Sequence, residues 1–505
     1  MINPSYEEVK KISSTNQYNV IPLSAEIYSD MVTPIDVLQK LMNVSKHCFI
    51  LESAEDNKTW GRYTFLGFDP KLEITCINGA MTINSAETKT FETDNPNKHI
   101  QEILDQYKSV KFDYLPPFTG GLVGYFAYDY AKYCEPTLKL DAYENASNGQ
   151  SSFDEERFND VDLMLFDKVI AFDNYKQKVI LIVNIKTNDL EAEYERGKTQ
   201  LEQIKILIKT GSSQSAGSAQ ISKANIKSDF KALFTKDEYC QMVKKAKEHI
   251  REGDIFQVVL SNRYEADFEG SIFDTYRVLR TINPSPYMFY FSGSNLEIAG
   301  ASPETLVKLQ NGRLFTYPLA GTRKRGETDE EDITLEKELL ADEKELAEHN
   351  MLVDLGRNDL GKISKFGTVK VEKYLSILRF SHVMHIGSTV SSEICDDKTG
   401  LDAINAVLPA GTLSGAPKIR AMQIINAQEK NKRGIYGGAI GYLDFTGNMD
   451  TCIAIRIVYK RNNKVFIRSG AGIVADSNPE SEYQECVNKS AAVMSSLKIS
   501  SEGIE

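Results

Sequence analysis

Short apolar runs separated by turns dominate the N-terminal part of the chain. In order they read CFILES, YTFLGFDP, LEITCINGAMTI, GGLVGYFAYDYA, DLMLFDKVIAFDN and KVILIVNI. Runs of this length between turn residues predict β-strands, and Asn78-Gly79 between two apolar stretches predicts a tight hairpin. Because few helical patterns separate these runs, the pattern favours antiparallel sheet over a doubly wound fold.

Helical patterns become frequent in the C-terminal part. Residues 236–251 and 329–353 predict charged amphipathic helices, and FIRSGAGIVADS predicts a strand that enters a glycine turn. Residues 210–222 are rich in Gly, Ser, Ala and Gln, which is typical of a flexible connection. The sequence therefore predicts an α+β fold with large antiparallel sheets and helices packed outside them, divided into regions 1–225 and 226–505.

Composition narrows the class of partner. The 505 residues are 41% hydrophobic, enough for a sizeable core, and the net charge is -12, from 59 Lys+Arg against 71 Asp+Glu. That balance argues against nucleic acid or an anionic membrane as the main partner. The seven cysteines are scattered without a CxxC, so we expect reduced thiols rather than disulfides or a zinc site.

Nothing in the sequence has the pattern of a targeting or membrane segment. The N-terminal residues contain no apolar stretch typical of a signal peptide, and no apolar run approaches the roughly 20 residues that span a bilayer. We therefore expect a soluble cytoplasmic protein.

Two pairs of glutamates carry the first chemical signal. Glu345 and Glu348 are three residues apart on a predicted helix, as are Glu482 and Glu485, so each pair projects from one helix face. Facing carboxylates need a cation between them, and oxygen ligands without nearby Cys or His pairs favour Mg²⁺. Taken alone, either pair also fits ordinary exposed helix glutamates supported by lysines.

Two stretches of small residues lie near these pairs in the sequence. SGAG, at residues 469–472, precedes the second pair, and LPAGTLSGAPK spans residues 408–418. Small residues let backbone N–H groups approach an anion, although such stretches are more often simple turns. Neither stretch fits a nucleotide-binding motif.

Together, several stretches of the C-terminal region resemble the chorismate-utilising enzymes from about residue 236 to 497. They are EGDIFQVVLS (252–261), ASPE (301–304), YPLAGTRKRG (317–326), ELAEHNMLVDLGRND (345–359), LPAGTLSGAPK (408–418) and SGAGIVADSNPESEYQE (469–485). The resemblance implies antiparallel sheets packed as a sandwich with helices outside, the aminodeoxychorismate synthase-like fold.

The resemblance also implies a set of site residues. Glu348 and Glu485 would bind Mg²⁺ directly, with Glu345 and Glu482 acting indirectly or through water. The groups that would hold the two carboxylates of chorismate are Tyr436, Arg456, Lys489 and the amides of Gly470, Ala471 and Gly472, with Gly321 and Thr322 also contacting the substrate. A metal, an Arg fork and a Lys would offset the desolvation of such a dianion.

Two positions separate branches of this family. Isochorismate and salicylate synthases carry a water-activating Lys where this chain has Gln257, which cannot act as a base. Aminodeoxychorismate synthases usually carry a Lys that joins the substrate covalently where this chain has Ala320. These differences favour the anthranilate synthase branch.

A regulatory site gives the third test. The ILES segment at residues 50–53 resembles the LLES segment with which anthranilate synthases bind the inhibitor tryptophan, and NPSPYM at residues 283–288 resembles the second half of that site. Ser53 would bind polar atoms, and Pro286, Tyr287 and Met288 would contact the indole and the amino acid backbone. NPSPYM alone also fits a structural turn into a strand.

The implied reaction is Mg²⁺-dependent conversion of chorismate and ammonia to anthranilate and pyruvate. Glu304 would protonate the leaving hydroxyl, His385 would support loss of pyruvate, and Thr412 would lie near C2. The match leaves no room for a glutaminase domain, so a glutamine amidotransferase subunit would supply ammonia. The alternatives are an aminodeoxychorismate-type synthase that keeps pyruvate attached and a catalytically silent tryptophan sensor.

Overall fold

The computed structural model describes residues 2–54, 60–135, 137–138, 157–211, 222–379 and 383–504. Within them the helices are α1 (Tyr6–Ser13), α2 (Pro34–Met42), α3 (Pro96–Asp105), α4 (Leu190–Thr210), α5 (Lys236–Arg251), α6 (Phe273–Ile282), α7 (Asp329–Ala341), α8 (Glu343–Gly361), α9 (Gly400–Val407), α10 (Lys418–Glu429) and α11 (Pro479–Glu502).

The strands are β1 (Ile2–Asn3), β2 (Val20–Tyr28), β3 (Cys48–Glu52), β4 (Tyr63–Phe68), β5 (Leu72–Ile77), β6 (Ala80–Asn84), β7 (Thr88–Glu92), β8 (Gly121–Phe126), β9 (Val161–Phe166), β10 (Lys168–Asp173), β11 (Lys178–Lys186), β12 (Asn225–Ile226), β13 (Lys231–Ala232), β14 (Gln257–Glu269), β15 (Tyr287–Ser292), β16 (Glu297–Ser302), β17 (Thr305–Gln310), β18 (Arg313–Thr316), β19 (Leu319–Lys324), β20 (Lys370–Arg379), β21 (Val383–Glu393), β22 (Gly415–Ala416), β23 (Ala439–Asp444), β24 (Met449–Ile453), β25 (Ile457–Arg461) and β26 (Lys464–Ile473).

The strands form two large sheets. The first runs β1-β2-β11-β10-β4-β3-β15-β16-β25-β26-β14-β12, with β13 and β22 paired to β14. The second runs β19-β21-β18-β17-β24-β23-β8-β9-β5-β6-β7, with β20 paired to β21. Their ladders are antiparallel, for example between β2 and β11 and between β14 and β26.

The two sheets pack face to face with helices on the outer face of the first. Alternate residues of β10 show this directly: Val169 and Ala171 belong to the core between the sheets, whereas Ile170 and Phe172 belong to the core beneath α2, α4, α6 and α11. Burial of both faces explains why strands of the first sheet read as continuous apolar runs. The predicted α+β sandwich with external helices is confirmed.

Regions 1–225 and 226–505 both contribute to each sheet. β3 pairs with β15 in the first sheet, and β8 pairs with β23 in the second. The predicted connection at residues 210–222 lies mostly outside the described residues, because 212–221 are not among them. The division itself stays a prediction about sequence regions.

Local sequence signals account for most element boundaries. Helix α5 covers the predicted residues 236–251, because Thr235 and Glu238 form a capping box at its start. Asn78 and Gly79, both with positive φ, make the predicted hairpin between β5 and β6.

Two sequence predictions of local structure were wrong. The single helix predicted at 329–353 is interrupted at Asp342, whose backbone is extended and whose side chain accepts hydrogen bonds from the amides of Lys344 and Glu345 at the start of α8. The glycines of FIRSGAGIVADS lie within strand β26, which runs to Ile473, rather than in a turn after it. Their pairing with β14 keeps this backbone extended.

Candidate active site

A cavity of about 490 Å³ lies where α8 and α11 meet strands β14, β19, β21 and β26. It brings together every predicted catalytic, substrate-binding and metal-binding residue except Ala471. Those lining it are Glu304, Gly321, Thr322, Glu345, Glu348, His385, Thr412, Tyr436, Arg456, Gly470, Gly472, Glu482, Glu485 and Lys489. Gln257 and Ala320, the two positions that separate branches of the family, line the same cavity.

Strand alternation explains the exception. Gly470 and Gly472 face the cavity from β26, so the side chain of Ala471 points the other way and packs with Val258 and Leu260 of β14. A Cβ at Gly472 would lie 2.7 Å from Nε2 of Gln257, so this position admits only glycine while Gln257 keeps its place. The predicted role of the Ala471 amide stays a prediction.

The four glutamates reach the cavity from two capped helices. Glu345 and Glu348 lie in the first two turns of α8, and Glu482 and Glu485 lie near the start of α11, which Asn478 caps and Pro479 begins. Burial, followed by the charge of Glu345, raises the pKa of Glu348 above its ordinary value. Burial also raises the pKa of Glu482. Burial is the larger cause of both shifts, and in each the charge of a neighbouring glutamate adds to it.

Several side chains of the protein supply this cluster with partial counter-charges, and Lys344 at the cavity wall is one of them. Nζ of Lys489 lies 2.7 Å from Glu485, and Arg323 lies 3.5 Å from Glu345. A cation fits the remaining charge, and an all-carboxylate set suits a hard ion such as Mg²⁺. The four carboxylates line the cavity without converging on one point, since among the described residues a metal-like cluster within 4.8 Å forms only at His249, Glu252 and Asp254 on the surface.

Glu304 and Thr412 form a hydrogen-bonded pair in the cavity wall. The Thr412 hydroxyl donates to Oε1 of Glu304 at 2.9 Å. Burial raises the pKa of Glu304 to about 7, against the opposing effects of Thr412, Lys489 and Arg456. A carboxyl group with such a pKa holds a proton near neutrality and can give it up, which is what a general acid needs.

His385 and Gly321 are joined across a β-bulge. The register between β19 and β21 shifts between Ala320 and Thr322, and Gly321 takes a φ of 67° there. Nδ1 of His385 donates to the Gly321 carbonyl at 2.9 Å, which places the lone pair of the neutral ring on Nε2. Burial lowers the pKa of His385, so the ring is neutral near pH 7.

A second, smaller cavity of about 120 Å³ lies between the sheets and is lined by Ser53, Pro286, Tyr287 and Met288. It is formed where β3 pairs with β15, with Met288 opposite Glu52. The Ala54 amide donates to the Ser285 carbonyl at 3.0 Å and extends this pairing. The structure therefore brings the two predicted halves of the inhibitor site together.

Sequence reasoning did not identify a cluster of three buried charged residues next to the main cavity. Glu429, Arg433 and Arg468 are buried, both arginines pair with Glu429, and Arg468 also lines the cavity. The spacing of Glu429 and Arg433 by four residues is the only sequence signal, and it is typical of exposed helix pairs as well.

Comparisons with known proteins agree with this geometry. Residues 46–495 match the family described as chorismate binding enzyme, so the chain belongs to the chorismate-binding enzymes. Within that family it is 44% identical to anthranilate synthase component 1 of Acetivibrio thermocellus, over 99% of this chain and 99% of that one. The resemblance inferred from the motifs is thereby confirmed.

Solved structures give the same result. The crystal structure of anthranilate synthase component I from Streptococcus pneumoniae TIGR4 is 38% identical with a TM-score of 0.73, covering 86% of this chain and 92% of that chain. The isochorismate synthase MenF of Escherichia coli shares the fold at 20% identity, with a TM-score of 0.68 over 97% of this chain and 98% of its own. In the described residues we find no helix long and apolar enough to cross a membrane.

Proposed function

We propose that this chain is a Mg²⁺-dependent anthranilate synthase that converts chorismate and ammonia to anthranilate and pyruvate, the first committed step of tryptophan biosynthesis. The observation that carries the proposal is a single cavity in which Glu304, whose pKa burial raises to about 7, lies with cationic and carboxylate groups suited to a metal-bound dianion. Full-length similarity to anthranilate synthase component 1 supports it.

Substrate binding follows from the charges of the cavity. Arg456 and Lys489 would pair with the two carboxylates of chorismate, and the Tyr436 hydroxyl and the backbone at Gly470 and Gly472 would complete their hydrogen bonds. When bound at Glu348 and Glu485, with Glu345 and Glu482 reached through water, Mg²⁺ would supply Lewis-acid polarisation of the ring carboxylate.

The first chemical step is amination at C2. The nitrogen lone pair of ammonia forms the C2–N bond, the ring double bonds shift, and the C4–O bond breaks. Glu304 gives its proton to the departing oxygen, so that water leaves, and the surplus proton on the new amine restores Glu304. Thr412 holds the carboxyl group in place through its hydrogen bond.

The second step aromatises the ring. A base takes the C2 proton, the electron pair of the C2–H bond forms the C2=C3 bond of the aromatic ring, and the C3–O bond breaks. The departing enolate takes a proton back and is released as pyruvate. His385 would support this elimination as a neutral ring whose orientation is fixed by the Gly321 carbonyl. No lysine is needed for either step, which agrees with Gln257 and Ala320 at the cavity wall.

Ammonia would reach the cavity from a glutamine amidotransferase subunit. The name component 1 of the relatives refers to one part of a synthase, and the present chain matches them over its length. Free ammonium should serve as substrate in the absence of that subunit. We place the enzyme in the cytoplasm, in agreement with its seven free cysteines.

Tryptophan would inhibit from the cavity between the sheets. Its contacts would be Ser53, Pro286, Tyr287 and Met288. The Tyr287 hydroxyl is hydrogen-bonded to Thr305 at 2.8 Å and donates to Asp450 at 2.9 Å. Because Thr305 follows Glu304 in the chain, displacement of Tyr287 by the inhibitor would alter the position of the general acid.

Product analysis tests the proposal against its alternatives. The purified chain is incubated with chorismate, Mg²⁺ and ammonium, and products are separated by chromatography. Anthranilate supports the proposal. An amino product that retains the enolpyruvyl group would indicate an aminodeoxychorismate-type synthase, and unchanged chorismate with tryptophan bound would indicate a sensor.

A further inference from the structure

A buried arginine, Arg433, is hydrogen-bonded to the loop at residues 408–418, which we call the Thr412 loop. Arg433 Nη1 donates to the Leu413 carbonyl at 2.6 Å, next to Thr412, and Nη2 donates to the Val259 carbonyl of β14 at 2.7 Å. Val259 and Leu413 both line the main cavity. The loop also pairs directly with β14, whose Val259 amide donates to the Ser414 carbonyl at 2.9 Å, and the guanidinium bridges the same loop and strand at Leu413, next to Thr412.

A buried carboxylate fixes the orientation of Arg433. Glu429, the last residue of α10 and four residues earlier in the chain, accepts from Arg433 Nε at 3.0 Å and Nη2 at 2.6 Å. The guanidinium also lies over the Tyr128 ring, 4.6 Å from its centre. With one face on the Tyr128 ring and its N–H groups hydrogen-bonded to Glu429, Leu413 and Val259, the planar group has one position, which a lysine could not reproduce.

Glu429 extends the same hydrogen-bond network to strand β26, which also lines the main cavity. It accepts from the Ser261 amide of β14 at 2.8 Å and from Arg468 of β26 at 2.7 Å. Arg468 also donates to the Ser261 hydroxyl and stands just before Ser469 and Gly470 in β26. Although burial acts to raise it, Arg433 and Arg468 hold the pKa of Glu429 below its ordinary value, so the carboxylate is charged.

Stability alone is a weak reason for such a cluster. Replacing buried ion pairs by well-packed apolar residues is often neutral or stabilising, because removing charges from water is costly. Arg433 instead has the property expected of a group that specifies geometry, because two of its N–H groups donate to the carbonyls of the cavity-lining residues Leu413 and Val259.

We infer that Arg433 is a positioning residue for the Thr412–Glu304 pair, holding the Thr412 loop so that the Thr412 hydroxyl meets the general acid. The inference rests on the proposed function, since it assigns no contact between Arg433 and substrate. The other end of the loop has a similar anchor, because Lys418 donates to the Val407 carbonyl at 2.8 Å and pairs with Asp359.

A double-mutant cycle tests the inference. Turnover of chorismate with ammonium is measured for the full chain, Arg433→Lys, Thr412→Val and the combination. We expect Arg433→Lys to lower kcat by about 10- to 100-fold, with KM for chorismate changed by less than about threefold. The double variant should resemble Thr412→Val alone, because Arg433 acts through that residue.

The pH profile adds a readout that a purely structural role would not move. The Thr412 hydrogen bond, like the charges of Lys489 and Arg456 that face Glu304, lowers the pKa of this carboxyl. Arg433→Lys and Thr412→Val should therefore shift the alkaline limb of kcat/KM to higher pH by similar amounts. Arg196→Lys is the control, since Arg196 of α4 pairs with Glu193 and donates to the Asn184 carbonyl of β11, and it should leave the limb in place.

Additive losses in the cycle, or an unshifted limb in Arg433→Lys, would overturn the inference. If Arg433→Lys does not fold, Glu429→Gln replaces it in the same cycle, because it weakens the hold on Arg433 without changing side-chain shape. A wild-type chain that makes no anthranilate would instead contradict the proposed function. The two failures can be told apart, because an inactive wild-type chain contradicts the proposed function, whereas additive losses in an active enzyme contradict only the role of Arg433.

Discussion

The Tyr287 hydroxyl lies 2.8 Å from the Thr305 hydroxyl, and Thr305 is the residue after Glu304. Tyr287 lines the cavity between the sheets, whereas Glu304 lines the main cavity. One side-chain hydrogen bond and one peptide unit thus separate a proposed inhibitor contact from the proposed general acid. This short path makes regulation testable without altering either site.

Replacing Thr305 by Val should separate tryptophan binding from inhibition. The change removes the hydroxyl that meets Tyr287 but keeps the β-branched shape, so the inhibitor cavity is preserved. We expect tryptophan to bind within about threefold of its wild-type affinity by calorimetry while the concentration for half-inhibition rises by about tenfold or more.

Thr451→Val is the matched control. Its buried hydroxyl donates to the Val307 carbonyl in the same sheet at 2.7 Å, so the variant loses a comparable hydrogen bond in which Tyr287 takes no part. Equal inhibition of Thr305→Val and wild-type enzyme would show that coupling takes another route.

The raised pKa of Glu304 predicts that kcat/KM for chorismate has an alkaline limb in its pH profile. A general acid must be protonated, and burial raises the pKa of Glu304 to about 7, so kcat/KM for chorismate should fall as pH rises above about 7. Because the fraction of ammonium that is deprotonated to ammonia rises over the same pH range, the assay must hold the concentration of free ammonia constant.

Glu304→Gln cannot donate this proton. We expect the variant to lose turnover by about 10²- to 10⁴-fold and to lose the limb in whatever activity remains. Retention of the limb in Glu304→Gln would assign the titration to another group.

Glu485→Gln tests the metal site. Removing one of the two carboxylates proposed to bind Mg²⁺ directly should weaken Mg²⁺ binding, measured by calorimetry, and abolish Mg²⁺-dependent turnover. Glu480→Gln on the same helix is the control, since Glu480 is exposed and pairs with Lys236 at 3.2 Å. If both variants bound Mg²⁺ like the wild type, the assignment of Glu485 would be wrong.

Ser53→Ala tests the other half of the inhibitor site. The hydroxyl lines the cavity between the sheets, and losing a hydrogen bond of about 1–1.5 kcal/mol should raise the half-inhibitory concentration by roughly tenfold. Turnover without tryptophan should stay unchanged, because Ser53 does not line the main cavity. Unaltered inhibition in a well-folded variant would remove Ser53 from the site.

The fold and most site residues could be predicted because their signals are local or carried by motifs. Helix α5 follows from an amphipathic pattern and its cap at Thr235. The glutamates of α8 and α11 follow from their spacing and the surrounding motifs. The break at Asp342 was missed because the apolar pattern continues through it, and only the side-chain cap reveals the new start.

The cluster of Glu429, Arg433 and Arg468 could not be predicted either, and the reason is different. Charged residues are usually exposed, and sequence spacing does not reveal that strands β14 and β26 enclose these three completely. The partners that make such burial tolerable come from distant parts of the chain, including Ser261 and Leu413. Tertiary pairing of this kind leaves little trace in one sequence.

The proposed conversion of chorismate to anthranilate is tested most directly by following the ammonia nitrogen and the enolpyruvyl group of chorismate in one experiment. The purified chain is given chorismate, Mg²⁺ and ammonium labelled with heavy nitrogen, and anthranilate and pyruvate are quantified against chorismate consumed. We predict labelled anthranilate and pyruvate in equal amounts, each matching the chorismate lost. Chorismate consumption without pyruvate, or anthranilate lacking the label, would contradict the account.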